Sequence, residues 1–257
     1  MNRKIWKALG IAVCMLALAA PRAMAKTYEV GTEDKFAEAV QEINKKSSDK
    51  INEIFLTQDI NPLTGNYTLT NGKTTTIKGE NHRIFIKGSN AGITVTGEGT
   101  VLNLGAEGYK GTLTIDGKTS GGSASGNANN AFITVSGGAT ANMYGNVTLQ
   151  NGQFAGNACV VVKGLKPVTG PNSAFNMYGG VIENCSRAVI AYSWATFHMF
   201  DGEIKKCKAD GDDVISVTDN SKFIMEGGTI SGCKANTGGG LYANNSAIEI
   251  SGGTISG

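Results

Sequence analysis

Four stretches of this chain are near copies of one another: Phe175-Asn-Met-Tyr-Gly-Gly-Val-Ile-Glu-Asn-Cys185, Phe197-His-Met-Phe-Asp-Gly-Glu-Ile-Lys-Lys-Cys207, Phe223-Ile-Met-Glu-Gly-Gly-Thr-Ile-Ser-Gly-Cys233 and Ile248-Glu-Ile-Ser-Gly-Gly-Thr-Ile-Ser-Gly257. Their third residues fall at 177, 199, 225 and 250, intervals of 22, 26 and 25. A period of that size marks a solenoid, because one copy cannot bury its apolar face until the next stacks on it. Within a copy, an apolar-x-apolar strand meets a Gly-Gly or Asp-Gly turn and then a short strand centred on isoleucine.

Another strand family, with alternation of period two, lies between the copies and upstream: Ile93-Thr-Val95, Ile133-Thr-Val135, Val160-Val-Val162, Ile190-Ala-Tyr192, Ile215-Ser-Val217 and Leu241-Tyr-Ala243. Three short strands per coil predict an all-β chain, a right-handed single-stranded parallel β-helix in which each strand pairs with its equivalent one coil away. Predicted inward ladders are Phe175, Phe197, Phe223 and Ile248; Met177, Met199, Met225 and Ile250; and Ile182, Ile204, Ile230 and Ile255. Asn176, His198, Ile224 and Glu249 then face outward. Upstream, Ala141-Asn-Met143-Tyr-Gly145 and Leu113-Thr-Ile115-Asp-Gly117 both take the place of the second strand, and Lys118 to Asn130 reads as an excursion from one coil.

The amino terminus predicts export. Arg3 and Lys4 precede an apolar run from Ile5 to Ala20, and Ala23-Met-Ala25 has the small-x-small pattern of a cleavage site, so residues 1–25 read as a signal peptide. Residues 26–50 then form a cap: Thr32 caps a helix whose apolar face is Phe36, Ala39, Val40 and Ile43, with Glu33 and Asp34 at its start and Lys45 and Lys46 at its end. The solenoid occupies 51–257, beginning with Ile51-Asn-Glu-Ile54-Phe-Leu56, Thr74-Thr-Thr-Ile77 and Ile84-Phe-Ile86. Because Gly257 falls within a repeat, the expectation is a piece of a longer protein; the alternative is an end that meets a partner, with end-to-end self-association.

The helix, the strand Ile54-Phe-Leu56-Thr-Gln-Asp59-Ile60, the strand Ile77-Lys-Gly79 and the tandem Met-x-Gly-Gly-Thr-Ile-Ser-Gly units together resemble β-helix proteins displayed on bacterial surfaces, adhesin-like and polymorphic outer-membrane-protein-like passengers with a pectate-lyase-like fold. The resemblance implies an extracellular or cell-surface protein acting as a non-catalytic stalk or adhesive surface, with surface glycans or proteins as partners. No membrane span is expected in the mature chain. A formal net charge of +2 gives no reason to expect nucleic acid, and Lys205, Lys206 and Lys208 read as solvated loop residues.

The alternative is a polysaccharide-degrading β-helix enzyme, polygalacturonase-like or pectate-lyase-like. Asp210-Gly-Asp212-Asp213 resembles the Gly-Asp-Asp segment of polygalacturonase-type hydrolases, which would make Asp212 and Asp213 the acid and base, with Arg187 one coil earlier. The companion Asn-x-Asp, histidine and Arg-x-Lys are absent from the neighbouring coils. Outward positions Thr94, Thr134, Val161, Ala191, Ser216 and Tyr242 supply no carboxylate column for calcium. The reading is therefore no catalytic residue, no cofactor and no metal, with Asp210, Asp212 and Asp213 at most a weak calcium turn. Cys185, Cys207 and Cys233 each lie three residues past the inward isoleucine of their rung and should stack, as buried thiols or with one adjacent pair bridged.

Overall fold

The computed structural model describes residues 25–46, 49–88, 90–118, 131–153, 157–165, 170–209, 213–236 and 239–257. Among the described residues it is a parallel β-solenoid of about eight turns, with three long sheets, a two-stranded one pairing Lys208–Ala209 with Lys234–Ala235, and one helix. The proposed signal peptide and most of the Lys118 to Asn130 excursion lie outside the described residues.

In each coil the chain passes through sheet 1, sheet 2 and sheet 3 before returning to sheet 1. Sheet 1 stacks nine strands from Lys26–Val30 to Ala247–Ile250. Sheet 2 stacks eight, from Ile60–Leu63 to Thr254–Ser256, and sheet 3 seven, from Asn66–Leu69 to Leu241–Asn244. Every pairing is parallel, so like residues of successive rungs meet. Phe175 pairs with Phe197, Phe223 and Ile248 in turn, and Met177 with Met199, Met225 and Ile250. Ile182, Ile204, Ile230 and Ile255 form the third predicted ladder. The phenylalanine rings stack at 5.5 and 5.0 Å, and the ladders are buried up to the last rung, where Ile248, Ile250 and Ile255 face solvent.

The turn between sheets 1 and 2 explains its glycines. Gly180, Gly202, Gly228 and Gly253 all have φ between +82° and +105° in the same register position. A Cβ at Gly228 would lie 2.6 Å from the Gly202 carbonyl oxygen and 2.6 Å from Met199 Cε. Both the left-handed backbone and the rung beneath exclude any other residue. At the corner before sheet 1, buried hydroxyls saturate the backbone of the rung below: Ser173 accepts from Gly138 N at 3.1 Å and Ser221 from Ala195 N at 3.0 Å.

Two alignments differ from the sequence reading. The third strand of one coil is Val189–Tyr192, with Val161 opposite Ile190 and Val162 opposite Ala191, so Ile190 faces outward and Ala191 is fully buried. The run Ala188-Val-Ile-Ala is apolar throughout, and alternation alone could not phase it. Leu113–Asp116 belongs to sheet 2 beside Val147–Gln150, while the strand preceding Thr140–Met143 in sheet 1 is Val101–Leu104. The two motifs taken as equivalent therefore lie in different sheets. Lys205 and Lys208 are strand residues, not loop residues.

The cap forms from the residues predicted for it. Helix Glu33–Asn44 is capped by Thr32, whose hydroxyl accepts from Lys35 N at 3.3 Å, and buries Phe36, Ala39, Val40 and Ile43. Phe36 meets the Tyr67 ring edge-on at 5.2 Å. Before the helix, Lys26–Val30 pairs with Ile51–Leu56 and extends sheet 1. Glu33 ties the helix start to the first coil by accepting from Thr64 N at 2.6 Å, Gly65 N at 2.8 Å and Tyr67 Oη at 2.8 Å. At the other end the buried Lys73 ammonium donates to the carbonyls of Ile43 and Lys45, placing a cation where the helix dipole is negative.

The inward ladder predicts a sharp contrast between neighbours. Met199→Ala should cost about 2–5 kcal/mol. Met199→Asp should abolish the cooperative transition in urea, whereas His198→Asn should stay within about 1 kcal/mol of the parent. Equal losses at positions 198 and 199 would contradict the facing. The cap predicts a pH effect: burial pushes the Glu33 carboxyl up, but the Gly65, Thr64 and Tyr67 hydrogen bonds outweigh it and hold the group below its ordinary 4.5. Its stabilisation is complete above pH 4.5 and fades as pH falls through the lowered native value. The difference in melting temperature between parent and Glu33→Gln should therefore be largest near neutrality and close at acid pH.

Candidate functional site

Of the three aspartates singled out in the sequence, the structure describes Asp213. Arg187 Nε donates to the backbone carbonyl of Asp213 at 3.1 Å, linking adjacent coils just before their third strands. Asp213 is 8% exposed, and Asp210 and Asp212 lie outside the described residues. The structure thus brings Arg187 to the main chain of Asp213. Another buried carboxylate, Asp116, accepts from Gln150 Nε2 at 2.5 Å, Asn151 Nδ2 at 2.8 Å and Lys118 N at 2.9 Å, so it serves as a structural knot. Among the described residues, no group of three or more His, Cys, Asp or Glu side chains is placed to hold a metal ion.

The cysteine column is longer than its spacing suggested. Cys159, from the start of a third strand, joins Cys185, Cys207 and Cys233, and neighbouring thiols touch along the column. All four are free thiols, buried except for Cys233, which is half-buried. Burial pushes Cys159 up and Cys185 well above the ordinary range. Contact with Cys185, aided by burial, raises Cys207 to about 12, and contact with Cys207 followed by burial raises Cys233. These are poor nucleophiles packed as small apolar groups.

The outer face of sheet 1 is the more informative surface. Asn176 Nδ2 donates to Asn142 Oδ1 at 2.9 Å, Asn142 Nδ2 to Asn103 Oδ1 at 2.8 Å, and Asn103 Nδ2 to Thr76 Oγ1 at 3.2 Å. His198 continues the row, bonded to Glu226 Oε1 at 3.0 Å. Beside it runs an aromatic column built from the residues that follow the inward Met143, Met177 and Met199. Tyr144 and Tyr178 stack at 5.4 Å and 19°, Tyr178 and Phe200 at 4.6 Å and 10°, and Phe200 stacks on His198 at 3.6 Å. Tyr178 is 43% exposed. Sequence reading passed over this column although Met143-Tyr, Met177-Tyr and Met199-Phe announce it, because attention to the inward ladder left the next position unread.

The column ends at a cleft of about 770 Å³ bordered by Glu107, Tyr109, Tyr144, Asn146 and Tyr178. A shallower hollow of about 380 Å³ continues past Tyr178 to Asp201, Glu203 and Thr229. Among the described residues, these linings contain Glu107, Asp201 and Glu203 and no lysine or arginine. Burial, then the charges of Tyr178 and Glu107, push the Tyr144 phenol up. Burial and the hydrogen bond to Glu80 push Tyr109 up to about 12, so both phenols remain protonated donors at neutral pH.

Comparison with known proteins found no matching family model, no similar curated protein and no similar solved structure.

The thiol column predicts accessibility. With the fold intact, a chromogenic disulfide reagent should label only Cys233 among these four, and slowly; in denaturant all four should react. Rapid labelling of two or more in the native protein would contradict the burial.

Proposed function

We propose that this chain is an exported bacterial β-helix that works as a non-catalytic, adhesin-like binding surface for extracellular glycans or proteins. One observation carries the reading: the column Tyr144–Tyr178–Phe200 stands on the outside of a rigid solenoid beside two neighbouring hollows that share Gly145 and Tyr178. Aromatic side chains offer large contact area with few rotatable bonds, and the stacked rungs hold them ready without an ordering cost on binding. Folding alone does not call for outward rings at this position, since the next two rungs place Glu226 and Ser251 there on the same backbone. The apolar amino-terminal run with its Ala23-Met-Ala25 pattern supports export. Among the described residues, no helix is long and apolar enough to cross a membrane.

The test separates binding from turnover. The purified chain should bind intact cells or their extracted surface glycans, and Tyr178→Ala with Phe200→Ala should weaken that binding at least about tenfold while leaving the melting temperature near that of the parent. Polygalacturonate, with or without calcium, should yield neither unsaturated nor reducing sugar. Turnover that disappears in an Asp212→Asn, Asp213→Asn variant would replace this reading with the hydrolase.

A further inference from the structure

The aromatic column stops below Tyr144, and a cleft lies where it stops. In register along sheet 1, the position that holds Tyr144, Tyr178 and Phe200 is held one rung earlier by Gly105 and two rungs earlier by Lys78. The column itself therefore lacks a side chain at the level between Lys78 and Tyr144, where Asn146 and Val147 of the next coil approach Gly105. The cleft bordered by Tyr144 is large enough for one ring in stacking contact with it. One face of Tyr144 is covered by Tyr178, and Tyr144 itself borders the cleft.

The break in the column is fixed by the backbone. Gly105 has φ +69°, and a Cβ there would lie 2.3 Å from Asn146 Oδ1 and 2.9 Å from Val147 Cγ2, so no larger residue fits at this position. The loop that follows Gly105 is pinned on both flanks: Tyr109 Oη donates to Glu80, Asn146 Nδ2 donates to the Gly111 carbonyl, and Asn81 Oδ1 accepts from Thr112 N at 3.1 Å. Below the gap, the Lys78 ammonium is engaged by Glu53 at 2.8 Å and stands over the Phe55 ring at 4.8 Å and the Tyr109 ring at 5.5 Å.

We infer that the cleft beside Tyr144 binds one hexopyranose ring of an uncharged glycan, stacked on Tyr144. A pyranose presents a C–H face to an aromatic ring and a rim of hydroxyls to the edge of the site, which matches an apolar face bordered by protonated phenols and the Glu107 carboxylate. A purely apolar ring would forfeit these polar partners. A uronate or sialate would bring a carboxylate against Glu107, with Asp201 further along; the described lining has no lysine or arginine, and the nearby Lys78 and Lys205 are already paired with Glu53 and Glu203. The hollow past Tyr178 runs parallel to the solenoid axis and leaves room for neighbouring sugars of the same chain. The inference rests on the proposed binding role and specifies its ligand and its place.

The experiment uses the purified chain and titration calorimetry with cellohexaose, chitohexaose and mannohexaose as uncharged probes and hexagalacturonate as the charged one. At least one uncharged hexamer should bind, hexagalacturonate should bind at least tenfold more weakly, and Tyr144→Ala should reduce the uncharged affinity at least tenfold with an unchanged melting temperature. Glu107→Lys should bring hexagalacturonate to within about threefold of the uncharged hexamer. Equal binding of glycan by parent and Tyr144→Ala would overturn the site while leaving the surface reading intact. Absence of binding to every hexamer, with retention on cells preserved, would overturn the ligand class. Absence of both would remove the binding role as well. Sedimentation velocity showing a second copy of the chain displaced by Tyr144→Ala would assign the cleft to self-association and overturn the glycan.

Discussion

Register between parallel rungs is the constraint on which everything else depends. Once Met177 lies opposite Met199 and Met225, each flanking position is fixed in the same column, two residues away in either direction. A single backbone arrangement therefore builds the phenylalanine and methionine ladders inside, the asparagine row outside and the glycine turn at the end of the strand. Because stability passes only between neighbouring coils, an error in one column is repeated against the rungs on both sides. That explains why the glycine column is so uniform: at Gly202, Gly228 and Gly253 the missing Cβ would strike the glycine carbonyl of the preceding rung and the methionine methyl beneath.

The cap solves a problem that the repeat creates. The first coil would leave Leu63 and Leu69 facing water, and the helix covers that end with Phe36, Ala39, Val40 and Ile43, while strand Lys26–Val30 covers Ile51–Leu56. Its two termini are then tied to the solenoid by opposite charges, Glu33 at the positive end of the helix and Lys73 at the negative one. Helix, strand Lys26–Val30 and first coil thus form one continuous buried surface.

Much of this was legible in the chain. From Phe175 onward four like segments set the register, and the cap helix was readable down to its capping threonine and all four buried residues. Legibility failed where side-chain identity lost its contrast. In Ala188-Val-Ile-Ala, both faces are apolar and the phase slipped by one residue. Val101-Leu-Asn-Leu and Asn66-Tyr-Thr-Leu were passed over because a four-residue strand carries too little pattern alone; the signal was the comparison of Leu102-Asn-Leu with Ala141-Asn-Met and Phe175-Asn-Met. Cys159 escaped for another reason. It lies outside the repeat position of Cys185, Cys207 and Cys233, and only the closure of the corner brings its sulfur to the column.

The outward columns differ from the inward ones in what they owe to folding. Inside, phenylalanine, methionine and isoleucine recur because each rung must match the shape of the one below. Outside, the backbone is satisfied whatever stands there, as the succession Lys78, Gly105, Tyr144, Tyr178, Phe200, Glu226 and Ser251 shows along a single column. Three adjacent rings in such a column, with a cleft where the column stops, are not a packing requirement of the repeat. In a protein whose regular parts are accounted for by stacking, the departure that folding does not call for is the natural place for the proposed binding role.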